Sequence, residues 1–361
     1  MISKKAIALC ATVGVALTGF AIATPANAEP VSNSYVAVGS DTLEDVVSTL
    51  ANGSSMSGAP LRTLAGTTSV GSFDATGTAY ITTKSNGVRF GRPNGSGDGR
   101  TALLRSIDGA PYTSGTVGAP AAVTITGQVD IARSSGSGTV DAAGSLIQVP
   151  FGRDAIAYAY DSASTDALDT IDAATMLSLY TCSVRTLGAA TITPILPQAG
   201  SGTRKDFMAK IGLTDATIGS CVTFGQEHDA STLAVDSIMP MSVSRWVAMN
   251  TGASFPKLKA TTVVGSLVTG VPAVTGTGAA MVPNQAYYND STWGRDTYLV
   301  VQYARVDPTN ASYDAKLAAL LDPTKATSLT NSQTTPTKTG ALKKKFGILA
   351  PSTTTAVRIS K

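Results

Sequence analysis

Histidine occurs once in these 361 residues, tryptophan twice and cysteine three times, and only 14% of the chain is charged. A single histidine among scattered carboxylates offers no metal-ligand spacing. Neither a CxxC pair nor a Gly-x-Ser-x-Gly turn occurs, so the common zinc, thiol-redox and hydrolase signatures are missing. The one histidine, His228, stands in the polar run Gln226-Glu227-His228-Asp229, which reads as an exposed loop and not as the seat of a general base. Trp246 and Trp293 read as core or interface packing. No solenoid-length repeat is visible.

Residues 1–28 carry Lys4 and Lys5, an apolar stretch over 6–23 and the small-residue end Ala26-Asn27-Ala28. This is the pattern of a secretory signal peptide cut after Ala28. The apolar stretch is short for a spanning helix, and Cys10 lies inside it, away from any lipid-attachment boundary. The expectation is an exported protein, secreted or held at the cell surface. Cleavage lowers the formal charge from +3 to +1, because residues 1–28 hold two lysines and no acid. A chain so near neutrality lacks the basic surface that nucleic-acid binding requires. Cys182 and Cys221 remain, and an exported pair predicts a disulfide worth roughly 4 kcal/mol by loop closure.

Roughly 330 residues after cleavage suit two lobes better than one core. Residues 34–38 read as a first strand feeding a helix over 42–51, with Asp41 or Thr42 near its N-cap. Further strands are expected at 79–83, 87–90 and 129–133, and a helix at 101–107. Residues 52–78 and 108–120 are rich in Gly, Ser and Thr and read as irregular. Runs 146–149 and 154–160, with 297–303 as their later counterpart, read as two strands crossing between lobes. Helices are expected at 173–180, 205–212, 311–321 and 341–346. The division is then 29–149 with 299–361 as one lobe and 150–298 as the other, with a cleft between them.

Three loops share one grammar: Gly39-Ser40-Asp41-Thr42, Asn94-Gly95-Ser96-Gly97-Asp98-Gly99-Arg100 and Gly200-Ser201-Gly202-Thr203-Arg204. Each joins an extended run to a helical one. Glycine lets the backbone approach closely, the helix opens with unpaired N–H groups at the positive end of its dipole, and Ser and Thr add donors. That combination suits an anion, and three copies suggest one shared ligand. A fourth polar loop, Arg133-Ser134-Ser135-Gly136-Ser137-Gly138-Thr139, ends the strand at 129–133.

Taken in order, Val38-Gly39-Ser40-Asp41-Thr42, Gly95-Ser96-Gly97-Asp98-Gly99, Val129-Asp130-Ile131-Ala132-Arg133-Ser134-Ser135, and Gly200-Ser201-Gly202-Thr203-Arg204 with Phe207 resemble the PstS-like phosphate-binding proteins of ABC importers. The Lys343-Lys344-Lys345-Phe346-Gly347 ending is similar as well. The resemblance implies an α/β, two-lobed periplasmic-binding-protein-like fold of type II, a phosphate ligand, an ABC permease as membrane partner, a monomer, and neither cofactor nor chemical step. It also implies that Thr42, Ser96, Ser201, Gly202 and Thr203 donate to phosphate oxygens, with Ser40 and Gly97 beside them. Two positions depart from it. Ser135 stands where the family has an aspartate that accepts the phosphate proton, and Pro197 and Gln198 stand where it has an arginine. Asp41 or Asp98 is left to supply the acceptor, and Arg204 or Arg133 the positive charge. The altered third loop and the lack of a lipid-anchor cysteine motivate an alternative, a secreted cell-surface or adhesion protein that keeps the fold without transport.

Overall fold

The computed structural model describes residues 34–63, 69–161, 163 and 168–361, so the expected leader and Cys10 lie outside the described residues. A ten-stranded sheet organises the chain. Strand β1 (Tyr35–Gly39) is buried along its whole length and lies between two parallel neighbours, β2 (Val70–Ser72) and β3 (Ile131–Ser134). Burial on both faces is why it reads as an unbroken apolar run. The remaining strands are β4 (Leu146–Asp161), β5 (Thr193–Pro197), β6 (Thr223–Gly225), β7 (Ser237–Ser242), β8 (Thr262–Gly265), β9 (Gly294–Gln302) and β10 (Val357–Ile359). Their order is β6-β5-β7-β4-β9-β3-β1-β2, and β8 and β10 also pair with β4.

The strand-like block expected from runs 146–149 and 154–160 is one continuous strand, β4. Pro150 and Gly152 look like breakers, but the strand accommodates them with an irregularity opposite Thr297 and Tyr298 that leaves Phe151 without a partner residue in β9. The Phe151 carbonyl instead accepts a hydrogen bond from the buried Lys343 Nζ, which lies 4.0 Å from the Phe151 ring centroid. The first residues of β4 pair with β10 and β9, and its last residues pair with β7 and β8.

Hydrophobic burial divides along the same strand. Leu146, Val149 and Phe151 join clusters that include Val36, Val47, Leu103, Leu299 and Phe346. Residues 155–160 join a cluster with Leu179, Phe207, Met241, Trp246 and Trp293, so both tryptophans are core residues as expected.

Helices α1 (Glu44–Asn52), α2 (Ser96–Asp108), α3 (Ala173–Tyr180), α4 (Gly202–Ile211) and α5 (Val243–Asn250) precede β8 in the chain. Helix α6 (Gln285–Tyr288) precedes β9, and α7 (Ala315–Leu320) and α8 (Thr339–Lys345) follow it. Three helices begin earlier than their sequences suggest: α4 at Gly202 instead of 205, α8 at Thr339 instead of 341, and α2. Helix α2 starts at Ser96 instead of 101 and takes in Gly97 and Gly99, which propensity alone disfavours. The cause is tertiary: a Cβ on Gly99 would lie 2.6 Å from the Gly39 Cα, so only glycine lets α2 pack against the end of β1. Neither Asp41 nor Thr42 caps α1, because Asp41–Leu43 forms a 3-10 turn ahead of it with no side-chain cap. Strand β2 lies inside a stretch that reads as irregular.

The predicted disulfide joins Cys182 to Cys221 with the Cα atoms 6.0 Å apart. Among the described residues no helix is long and apolar enough to cross a membrane.

Candidate functional site

The Ser-Gly loops meet. Ser96 opens α2 and its hydroxyl accepts the Ser135 N–H at 3.0 Å, while the two hydroxyls lie 3.1 Å apart. Against them sits Gly202, the first residue of α4: a Cβ there would fall 2.3 Å from Ser135 Oγ and 2.5 Å from Ser96 Oγ. The Gly97 N–H donates to the Gly200 carbonyl at 3.3 Å. Ser40, Asp41 and Thr42 follow Gly39, whose φ of +108° turns the chain out of β1, and all three are buried. Among the described residues, Ser40 Oγ and Thr42 Oγ1 have no hydrogen-bond partner, nor has Asp41 Oδ2.

Four of the residues singled out from the sequence are engaged elsewhere. Arg133 has no donor left for a ligand. All five of its donors go to the carbonyls of Ala37, Gly39, Ser40 and Phe73 and to Ser72 Oγ, which makes it an internal brace for β1. Asp98 accepts the Gly115 N–H at 3.0 Å, and burial raises its pKa above the usual carboxylate value. Ser201 is the N-cap of α4, its hydroxyl accepting the Arg204 N–H at 3.0 Å. Arg204 turns outward, donating to the Pro197 carbonyl (3.1 Å) and to Asp215 (2.9 Å). It lines an open cleft of about 830 Å³ beside the junction, together with Ser96, Arg100, Lys205 and Asp206.

Apart from Asp41, the charges at the junction come from residues that the sequence did not assign to the site. His228 is not exposed: it is fully buried, its φ of +61° places it in the left-handed region, and its Nδ1 lies 2.7 Å from Asp41 Oδ1. An ionised Asp41 accepts from Nδ1, which leaves Nε2 facing Thr203 Oγ1 at 3.5 Å and Glu227 Oε1 at 3.7 Å. Thr203 Oγ1 also receives a hydrogen bond from Arg295 (2.9 Å), which is itself paired with the fully buried Asp154 (2.9 Å) and with Asp206 (3.3 Å). Arg245 reaches Asp41 at 3.4 Å, Glu44 at 3.8 Å, and Asp45. Arg245, Arg295 and Asp154 each interrupt an apolar or strand-like run, and a charge in such a run requires a buried partner. That is the signal that could have found them.

These contacts set the protonation of the junction. Burial by itself would raise the pKa of Asp41, but Arg245 and His228 outweigh it and hold the carboxyl well below the usual range. Glu44 goes the other way. Burial and then the charge of Asp41 outweigh Arg245 and push it up to about 8. In the unfolded chain a glutamate loses its proton above about pH 4.3, so the Glu44 contribution to stability is complete below that pH. It is lost as pH rises through 8. Asp41 has the opposite sign, its contribution being present above about pH 3.9 and lost as pH falls. Urea midpoints measured from pH 5 to 8 are expected to fall with pH in the wild type and to change less in Glu44→Gln. Equal slopes in the two proteins would contradict the assignment.

No protein-family model matches the sequence, and no curated protein matches it. Solved structures do resemble it. An ABC-type phosphate transport receptor from Vibrio cholerae superposes with a TM-score of 0.53 at 14% identity, over 88% of this chain and 100% of that one. PstS from Borrelia burgdorferi gives a TM-score of 0.42 at 14% identity over 88% and 99% of the two chains. A human phosphate binding apolipoprotein gives 0.46 at 13% over 89% and 92%. The chain has the mixed α/β, phosphate-binding-protein-like fold of the Vibrio cholerae receptor.

Proposed function

We propose that this chain captures a small oxyanion, in the first place inorganic phosphate, at the junction of the Ser-Gly loops and delivers it to an ABC permease. Residues 29–149 with 299–361 form one lobe in this reading and 150–298 the other, moving about β4 and β9. The observation that carries it is the convergence, in one buried place, of Ser40-Asp41-Thr42, Ser96, Ser135 and the N-terminus of α4, with the hydroxyls of Ser40 and Thr42 unpartnered among the described residues. Buried hydroxyls without partners are costly unless a ligand takes their hydrogen bonds. Thr42 and Ser96 are the donors, Asp41 is the acceptor for a ligand proton, and Arg295, already directed at Thr203, supplies the positive charge. No chemical step is assigned. The Asp41-His228-Thr203 line is buried, and its hydroxyl already receives a hydrogen bond from Arg295.

A second reading, a cell-surface protein that keeps the fold without transport, is favoured by one observation: the Glu227 carboxylate accepts an N–H at the start of α4. Isothermal titration of the exported protein with phosphate and then sulfate separates the two. One-to-one phosphate binding is expected. Thr42→Val and Ser96→Ala should each weaken it about 10- to 100-fold, the loss of one hydrogen bond to a charged group. Silence toward both anions would favour the surface-protein reading.

A further inference from the structure

The start of α4 already holds a carboxylate. Glu227 Oε1 accepts the Thr203 N–H at 3.3 Å, and the side chain is fully buried. Its second oxygen, Oε2, has no hydrogen-bond partner among the described residues. The surroundings are those of a bound anion. A ten-residue helix presents its positive end, Arg295 feels the Glu227 charge, and His228 Nε2 is 3.7 Å away. The segment that delivers the carboxylate is held on several sides. The Glu227 N–H donates to Gln198 Oε1 at 2.8 Å, the Gln198 amide donates to Asn94 at 2.8 Å, and the Asn94 amide donates to Gln226 at 3.3 Å. Asp41 fixes the neighbouring His228, whose left-handed backbone turns the chain there.

We propose that Glu227 is an internal stand-in for the oxyanion and sets the affinity of the site. Its carboxylate occupies the N–H donor of Thr203 that an external anion would use, so the anion binds only by displacing it and the 226–229 turn. This inference rests on the oxyanion reading of the junction. It adds a competitor on the same polypeptide, whose effective concentration is high because the turn is tethered. A ligand must outcompete that contact, and the measured affinity falls by the fraction of time the carboxylate is in place.

The test titrates inorganic phosphate and sulfate into wild type and Glu227→Gln. The neutral amide keeps the shape of the side chain and loses the charge, so phosphate is expected to bind at least tenfold more tightly to the variant. Unfolding temperature with and without 10 mM phosphate provides a second readout, in which the shift caused by phosphate should be larger for the variant. Phosphate binding to the variant that equals or falls below that of wild type would overturn the inference and leave the proposed capture standing. A silent wild type with a binding variant would support the inference and remove phosphate capture by the chain as it exists. Silence in both proteins would overturn both.

Discussion

Arg245→Met is expected to destabilise the folded protein by about 3–5 kcal/mol, the loss typical when one partner of a buried ion pair is removed. Methionine keeps most of the volume, so the loss is electrostatic and not the result of a cavity. Arg245 is the shared cation of Asp41, Glu44 and Asp45, and its side chain is 4% exposed. Without it, Asp41 retains His228 as its partner, while the buried Glu44 retains the Ala75 N–H at 2.7 Å and loses its cation. Asp41→Asn in the same background should recover part of the loss, because it removes the charge that Arg245 neutralised. A double-mutant cycle followed by urea unfolding measures that coupling. A loss below 1 kcal/mol in Arg245→Met would mean that the carboxylates take up protons without consequence and that the cluster does not hold the junction.

Breaking the Cys182–Cys221 bridge has an effect of the same order. The cysteines are 39 positions apart, and closing a loop of that size is worth about 4 kcal/mol in the chain-entropy account. The bridge ties the end of α3 to the segment before β6, so the loop it closes contains β5 and α4, the helix whose first residues face the junction. Both cysteines also pack against the core that contains Phe207 and Trp293. The Cys182→Ala/Cys221→Ala variant, or reductant added to wild type, should lower the guanidinium midpoint by the amount that corresponds to that energy. An unchanged midpoint would show that the unfolded chain gains no freedom from the cut.

The extent to which the sequence discloses this protein depends on how local each signal is. Alternation, glycine punctuation and helix ends are local, and they locate β1, β3, α3 and the four Ser-Gly loops within a few residues. Strand β2 was not legible because three small or short residues, Val70–Ser72, gain their strand character only from pairing with β1. The block that forms β4 was legible, but its continuity through residues 150–153 was not, because an irregularity that absorbs Pro150 and Gly152 is a property of two strands together. In the candidate site, Ser96, Ser135 and Gly202 could be picked out as members of matching loops. His228 and Glu227 could not, because a polar run such as Gln226-Glu227-His228-Asp229 looks solvated until the turn at His228 and the carboxylate of Asp41 are seen to draw it inward. Arg133 and Arg204 were the nearest cations in sequence. Arg295 and Arg245, brought in from about 90 and 200 positions away from Thr203 and Asp45, carry the charge instead.

Strand β4 also governs the order in which the molecule can assemble. Its sixteen residues find their partners at Ser237–Ser242, Thr262–Gly265, Gly294–Gln302 and Val357–Ile359, all of which are synthesised later. β3, the neighbour of β1, also waits for Gly294–Gln302 on its other side. A nascent chain therefore carries an apolar strand that stays unpaired until Ser237–Ser242 emerges and is fully paired only once Val357–Ile359 has followed, and such long-range pairing makes folding slow and keeps the intermediate open to holding chaperones.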